Sequence, residues 1–471
     1  MLQLKSFGYN CIRCSHNPYS ESFARIADRV GMLVVNELTD KWSDNDYWGG
    51  RQPFTHLWHK LITEWIKRDR NRPSIILWSL GNELQIREGW AGFEGTNDWG
   101  ITTYNIFNQL VKRWDHTRLT TVAMFPARAG AITRHDKEFN DYLVPPELAC
   151  ATEVASFNYQ SDKYDAYLKY QPDLILFQSE AETSKLLQPY YNMDRKRTVG
   201  MAYWGSAEYW GESNKWPKKG WNYSFFDHTM RPYPQAYLIK SAFMPEIPEV
   251  HIGVVDAAGA ESVSWNDVTV GRMALNECWN HIPGSRQSLF TYTNAHSVEL
   301  LVNGQSMGVQ QNDTTQANLR NMIYWKDVPY GNGGSVVAIA RDKSGKEVAR
   351  HRIETAGKAV ALQIETETPA DWKADGMDLQ YINVTAIDKK GRPVWDYNEP
   401  LTLQMEGAAR LVALDNGDHY TDELFQGITS KRMYQGRMQI ILRSTKTPSN
   451  VKLKISSADL KEKLSLKTFL K

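Results

Sequence analysis

The chain has 471 residues, too long for one ordinary domain, and predicts two to four. Its 55 basic and 54 acidic residues leave a net charge of +1 with no stripe of Lys and Arg, which argues against a nucleic-acid or anionic-membrane partner. No apolar run reaches the roughly 20 residues that cross a bilayer, and four cysteines are too few for a disulfide framework. Cys11 and Cys14 have CxxC spacing but lie in an apparent strand, where residues three apart face opposite sides. No second CxxC or histidine pair completes a zinc site, so all four cysteines read as free thiols. The 17 Trp suit either a bulky core or flat rings that stack on sugars.

Over the first 245 residues, short apolar strands ending in polar residues alternate with helical stretches. The strands are read at Asn10–Ser15, Met32–Glu37, Ser74–Glu83, Thr120–Phe125, Val154–Gln160, Leu174–Glu180 and Val199–Glu208. The clearest helix runs from Phe54 to Arg70. Leu57, Trp58, Leu61, Ile62, Trp65 and Ile66 recur there at three- and four-residue steps and make one apolar stripe. Pro73 begins the next strand. A second helix carries Tyr104, Phe107, Leu110, Val111 and Trp114. Strands alternating with helices predict a parallel sheet, either a (β/α)8 TIM barrel lacking one strand or an open doubly wound sheet. No GxGxxG or Walker loop follows any strand, which weakens a nucleotide-binding version. After PEIPEV the texture changes to short alternating strands broken by Gly, Asn and Asp, the pattern of antiparallel sandwiches. GKAVALQIET opens a second set. The domains are therefore a strand–helix unit over 1–245, barrel or open sheet, and two β-sandwiches over 250–356 and 357–471.

A (β/α)8 barrel places its chemistry at the C-terminal ends of the strands. The strand ends here supply Arg13 and His16, Glu37, Asn82 and Glu83, Asn158 and Tyr159, Glu180, and Trp204 and Glu208. Any one Glu alone reads as a solvated or capping residue. Four of seven strand ends bearing Glu, beside His, Arg, Asn and Tyr, read as a site. Two carboxylates facing each other across a cleft are what glycoside cleavage needs. One protonates the leaving oxygen, and the other attacks the anomeric carbon or activates a water.

These residues resemble glycoside hydrolase family 2, in particular its β-galactosidase-like members of Bacteroides type. PSIILWSLGNE, preceded by RDRNR, resembles the family's acid/base segment. FGYNCIRCSHNPYSESFARIADRVGMLVVNE resembles the segment around its second and third barrel strands, LILFQSEAET its nucleophile strand, and GMAYWGSAEYWGE its last barrel strand. YTNAHSVELLVNGQSMG resembles the immunoglobulin-like domain after the barrel. WKADGMDLQYINVTAIDKKGRPV, with LDNGDHYTDELFQG, resembles a further sandwich.

The resemblance implies that Glu83 is the general acid/base and Glu180 the nucleophile of a retaining mechanism. Glu182 is a rival nucleophile on the same strand face. Asn82 is implied to bond the sugar 2-hydroxyl, and Tyr159 to hold the nucleophile and keep it ionised. His16 and Arg13 are implied to line the −1 subsite, Trp204 to form its apolar wall, and Glu208 to bind a hydroxyl. An acid working at neutral pH needs a raised pKa, and a neighbouring carboxylate supplies part of it.

Several departures from the family pattern shape the expectation. The magnesium pattern of some β-galactosidases reads NELTDKW here and lacks its downstream His, so no catalytic metal and no cofactor are expected. The Asn-Lys-Gly motif by which β-glucuronidases grip a carboxylate is absent from GWNYSFFDHTMRP, which favours a neutral sugar. The expected function is exo-hydrolysis of terminal β-galactosides. β-Glucuronidase or another family 2 specificity, and a non-catalytic carbohydrate-binding remnant, are the alternatives. The partner is a carbohydrate, a homo-oligomer is compatible with the resemblance, and the family implies a periplasmic or secreted location although no signal-peptide pattern opens the chain.

MLQLKSFGYN matches the end of the family's first barrel helix, which implies that the first barrel strand is missing. A barrel without that strand exposes two strand edges. These 471 residues alone are therefore expected to be poorly soluble or inactive on nitrophenyl glycosides. Robust turnover by a monomer of them overturns that expectation.

Overall fold

A computed structural model describes residues 1–42, 54–86, 89–90, 100–125, 145–213, 215–256, 260–265, 268–367 and 372–469. Its first part is built on seven strands: β1 (Cys11–Arg13), β2 (Leu33–Glu37), β3 (Ile75–Asn82), β4 (Leu119–Met124), β5 (Val154–Asn158), β6 (Leu176–Ala181) and β7 (Thr198–Tyr203). They pair in chain order, every pair parallel. The sheet curls into a nearly closed TIM barrel rather than an open doubly wound sheet. Arg13 on β1 reaches across to the Ser179 carbonyl and the Glu180 carboxylate on β6. Between β1 and β7 lies a cavity of about 640 Å³, lined among others by Cys11, Arg13, Ser179, Met201, Tyr203 and Trp204.

The helices follow from the apolar stripes. The helix at Phe54–Asp69 buries Ile62, Trp65 and Ile66, and its successor at Ile101–Trp114 buries Tyr104, Phe107 and Val111. Fully burying each aliphatic or Phe side chain contributes about 1.5–3 kcal/mol. Trp65 meets Trp78 of β3 edge to face at 4.9 Å, which locks helix to sheet. The Trp78 indole N–H donates to Asp115 at 2.9 Å, so this large ring is buried with its donor satisfied. Other Trp residues divide as composition allowed: Trp42, Trp279 and Trp372 are buried, and Trp210 and Trp216 are exposed.

Strand limits differ from the sequence reading mostly by a residue or two. The exception is β7, read as far as Glu208 but ending at Tyr203. Gly205 adopts φ +64°, a left-handed turn that strands do not tolerate, and it redirects the chain.

After the helix at Pro234–Phe243 the chain becomes all β. One pair of four-stranded sheets is centred on Val250–Val255 with Arg286–Thr293, and on Ser297–Val302 with Ser335–Arg341. Alternate residues Val250, Ile252 and Val254 point inward and pack with Leu289, Val298 and Trp325 in its core. A second pair is centred on Leu379–Asp388 with Arg437–Ser444, and on Pro400–Glu406 with Asn450–Ser457. Its core holds Ile382, Val384, Leu403, Ile440 and Leu453. Alternating side chains facing inward from two stacked sheets is the sandwich arrangement. The second sandwich touches the barrel: the Lys219 N–H donates to the His419 carbonyl at 3.1 Å, and Arg231 donates to Gln435 at 3.1 Å. No helix among the described residues is long and apolar enough to cross a membrane.

The mouth of β3 is packed without spare room. A Cβ placed on Gly81 would lie 2.8 Å from Trp42 Nε1, the atom that donates to the Leu80 carbonyl. Gly81→Ala is expected to destabilise the barrel by about 1–3 kcal/mol, read as a lower urea midpoint.

Candidate active site

The ends of β1, β2, β3, β5 and β6 bring their polar residues into one buried cluster. Arg13 is its hub. Its guanidinium donates to Glu37 at 3.0 and 2.7 Å, to Glu180 at 2.8 Å and to the Asn82 side-chain oxygen at 2.9 Å. His16 Nδ1 lies 2.6 Å from Glu37, and its Nε2 lies 3.8 Å from Glu180. Ser79, earlier on β3, donates to Glu37 at 2.7 Å.

Asn158 joins the two halves of the mouth. Its amide donates to the Asn82 oxygen and to Glu83 Oε1, each at 3.0 Å, and its own oxygen accepts from Ser179 at 2.7 Å. The backbone reinforces this. The Glu83 N–H donates to the Ala123 carbonyl at 2.7 Å, and the Tyr159 N–H donates to the Glu180 carbonyl at 2.7 Å. Glu83 and Tyr159 both adopt positive φ, 40° and 62°, which costs an ordinary L-residue about 1–3 kcal/mol. That strain turns each side chain out of its strand and into the mouth. Trp204, just past β7, stacks on His16 with centroids 5.2 Å apart and planes 7° from parallel.

The charges divide the carboxylates. Burial pushes Glu180 above the ordinary carboxylate range and the charge of Glu83 adds to the push, while Arg13, His16 and Tyr159 pull against it. Burial also opposes ionisation of Glu37, but Arg13 and His16 outweigh it and hold that carboxyl below the usual range. Burial alone would lower the His16 pKa. The Glu37 charge overrides it, so the imidazole titrates higher than usual. Tyr159 is held well above the usual phenol range, first by burial and then by Glu180 and Glu83, and its protonated hydroxyl bonds the Glu180 carboxylate.

Of the residues expected from the sequence, Arg13, His16, Asn82, Glu83, Tyr159, Glu180 and Trp204 meet at this mouth. Glu182 turns away and pairs with Lys185 at 2.6 Å. Glu208 is held elsewhere, by Tyr233 at 2.8 Å and Arg272 at 3.3 Å, beside His228 and His419. Four contributors escaped the strand-end reading. Asp40 accepts from the Asn82 amide at 3.1 Å, and Lys41 donates to the Asn82 carbonyl at 3.1 Å. Ser79 is a small polar residue inside the apolar run of β3, a signal that could have marked it, whereas Ser179 lies between Gln178 and Glu180. Two groups among the described residues gather donors of the kind that hold metal ions: Glu208, His228 and His419, and His251, Glu277 and His351.

Residues 1–197 match the model of the glycosyl hydrolase family 2 TIM barrel domain, and residues 362–464 match that of the family 2 C-terminal domain 5. Residues 284–349 match a domain of unknown function. A β-galactosidase of Bacteroides ovatus is 25% identical, over 98% of this chain and 57% of the relative. A protein of Formosa agariphila named putative β-glucuronidase is 25% identical, over 94% of this chain and 43% of the relative. A solved family 2 structure from Bacteroides cellulosilyticus superposes with a TM-score of 0.85 at 25% identity, over 99% of this chain and 59% of that one. The chain thus spans about half the length of the relatives it matches. Two models of one family match separate parts of the chain, and a solved member of that family shares its fold almost from end to end: the chain belongs to glycoside hydrolase family 2.

Proposed function

We propose that this chain carries the catalytic centre of a retaining exo-β-glycosidase that removes terminal β-galactosyl units from oligo- or polysaccharides. The observation that carries the reading is Glu83 and Glu180 delivered to one buried mouth from β3 and β6, bridged by Asn158, Asn82 and Arg13. In this reading Glu180 attacks the anomeric carbon while Glu83 protonates the departing oxygen. Glu83 then takes a proton from the water that releases the sugar. Asn82, oriented by Asp40, Arg13 and Asn158, bonds the sugar 2-hydroxyl. Tyr159 holds the nucleophile, Arg13 and His16 line the −1 subsite, and Trp204 offers a flat face to sugar C–H groups.

Arg13 and Lys41 already serve acidic partners, and the Asn-Lys-Gly motif by which β-glucuronidases grip a carboxylate is absent from GWNYSFFDHTMRP, which supports a neutral sugar. β-Glucuronidase is kept as the second reading because relatives bear both names. The same proposal takes the barrel as residues 1–245, the immunoglobulin-like sandwiches as 250–356 and 357–471, and the location as periplasmic or secreted.

With the missing barrel segment supplied in a longer chain, nitrophenyl β-galactoside and β-glucuronide separate the two specificities, with the galactoside expected to turn over faster, and the variants below are assayed in that longer chain. Glu180→Gln should lower kcat by more than about 10³-fold while sugar binding survives; undiminished hydrolysis removes Glu180 from its role. Glu83→Ala should lose about 10²–10⁴-fold and recover with azide, giving a β-glycosyl azide. An α-azide there would exchange the two roles.

A pH profile tests the electrostatics. The nucleophile works ionised, and its pKa is raised, so activity should fall on the acid side at a pH above the ordinary carboxylate value of 4.5. Arg13→Gln removes a charge that favours ionised Glu180 and should move that limb to still higher pH. An unmoved limb separates Arg13 from Glu180 energetically.

A further inference from the structure

Glu208, His228 and His419 come from three distant places in the chain: the loop after β7, the turn before the helix at Pro234–Phe243, and the second sandwich. Their side chains are all but inaccessible, at 1%, 3% and 3% exposure. Glu208 Oε2 lies 3.1 Å from His419 Nε2 and 3.5 Å from His228 Nδ1. Those separations are short enough for hydrogen bonds, yet none of the three atoms has a partner in hydrogen-bonding geometry. The three side chains stand at ion-pair distances, and a single ion at a point shared by all three would satisfy their buried polar atoms together.

We propose that this point is a binding site for a divalent transition-metal ion, zinc above all. A tetrahedral zinc bound at about 2.0–2.1 Å places its ligand atoms about 3.3–3.4 Å apart, and the two measured separations bracket that edge. All three ligand atoms lie within 4.8 Å of one another, so small side-chain rotations close the third edge. Two imidazoles and a carboxylate are a zinc-type donor set.

The surroundings orient the ligands as a metal requires. Glu208 Oε1 is fixed by Tyr233 and Arg272, which leaves Oε2 for the ion. His228 Nε2 faces Asp415 at 2.8 Å, the carboxylate–histidine pairing that presents the other ring nitrogen to a metal. Glu208 and His419 also line a cavity of about 170 Å³, large enough for water in the fourth position. Bound there, the ion would fasten the second sandwich to the barrel exit. Its ligands are not those of the catalytic mouth, so the site stands or falls apart from the glycosidase reading.

The test is direct metal binding by the whole chain. After chelator treatment and dialysis, the protein should take up one Zn²⁺, and Co²⁺ should give the intense visible bands of a four-coordinate site. His419→Ala should weaken Zn²⁺ binding at least about 100-fold and Asp415→Asn about 10–100-fold, while His116→Ala, at an exposed histidine outside both donor groups, leaves it unchanged. No stoichiometric uptake overturns the proposal and leaves a buried charge pair in its place. Uptake undiminished in His419→Ala overturns it too. If that variant does not fold, Glu208→Gln serves, and an unaltered cobalt spectrum in it is equally fatal.

Discussion

The mouth of this barrel depends on one buried guanidinium. Glu37 and Glu180 approach each other from separate parts of the rim, and their burial without a cation would be prohibitive. Arg13 meets both with separate edges of its planar fork and has a donor left for Asn82. A lysine ammonium, a point charge on a flexible stem, could not hold three acceptors in fixed relative positions. The arrangement also explains why the two carboxylates titrate in opposite directions. Glu37 takes two Arg13 contacts together with His16 and Ser79. Glu180 shares Arg13 and faces the charge of Glu83.

Much of this was legible in the sequence because a barrel strand is short and its chemistry sits at one end. The apolar run of β3 ends in Asn82 and Glu83, and β6 ends near Glu180, so the strand-end rule for a barrel, with the family resemblance, put them at a common rim. The helix at Phe54–Asp69 was equally plain, since its stripe has nowhere to go but the sheet. What the strand-end rule could not supply was rotation and distance. It set Glu182 on the same face as Glu180, whereas the chain turns after Ala181 and Glu182 finds Lys185. It extended β7 to Glu208, whereas Gly205 breaks the strand and carries that carboxylate to a different neighbourhood.

The sandwich contribution was hidden for another reason. His228, Asp415 and His419 have no shared motif and no useful spacing. They meet only because a loop of the second sandwich folds back onto the segment after the barrel, where the Lys219 N–H bonds the His419 carbonyl. Contacts of this kind, set by packing between units, leave no periodic trace. The same loop carries Tyr420 to Glu261. The second sandwich is thus part of the wall around the barrel exit.

The positive φ values at Glu83 and Tyr159 bear on the chain's history. Both positions would be more comfortable with Gly or Asn, which enter that backbone region at little cost. Drift unopposed by any demand on the side chains would move them in that direction. A carboxylate and a phenol stand there instead, at neighbouring corners of one mouth. The backbone cost at these two corners is met by what the side chains reach: Glu83 accepts from Asn158 and Tyr159 bonds Glu180.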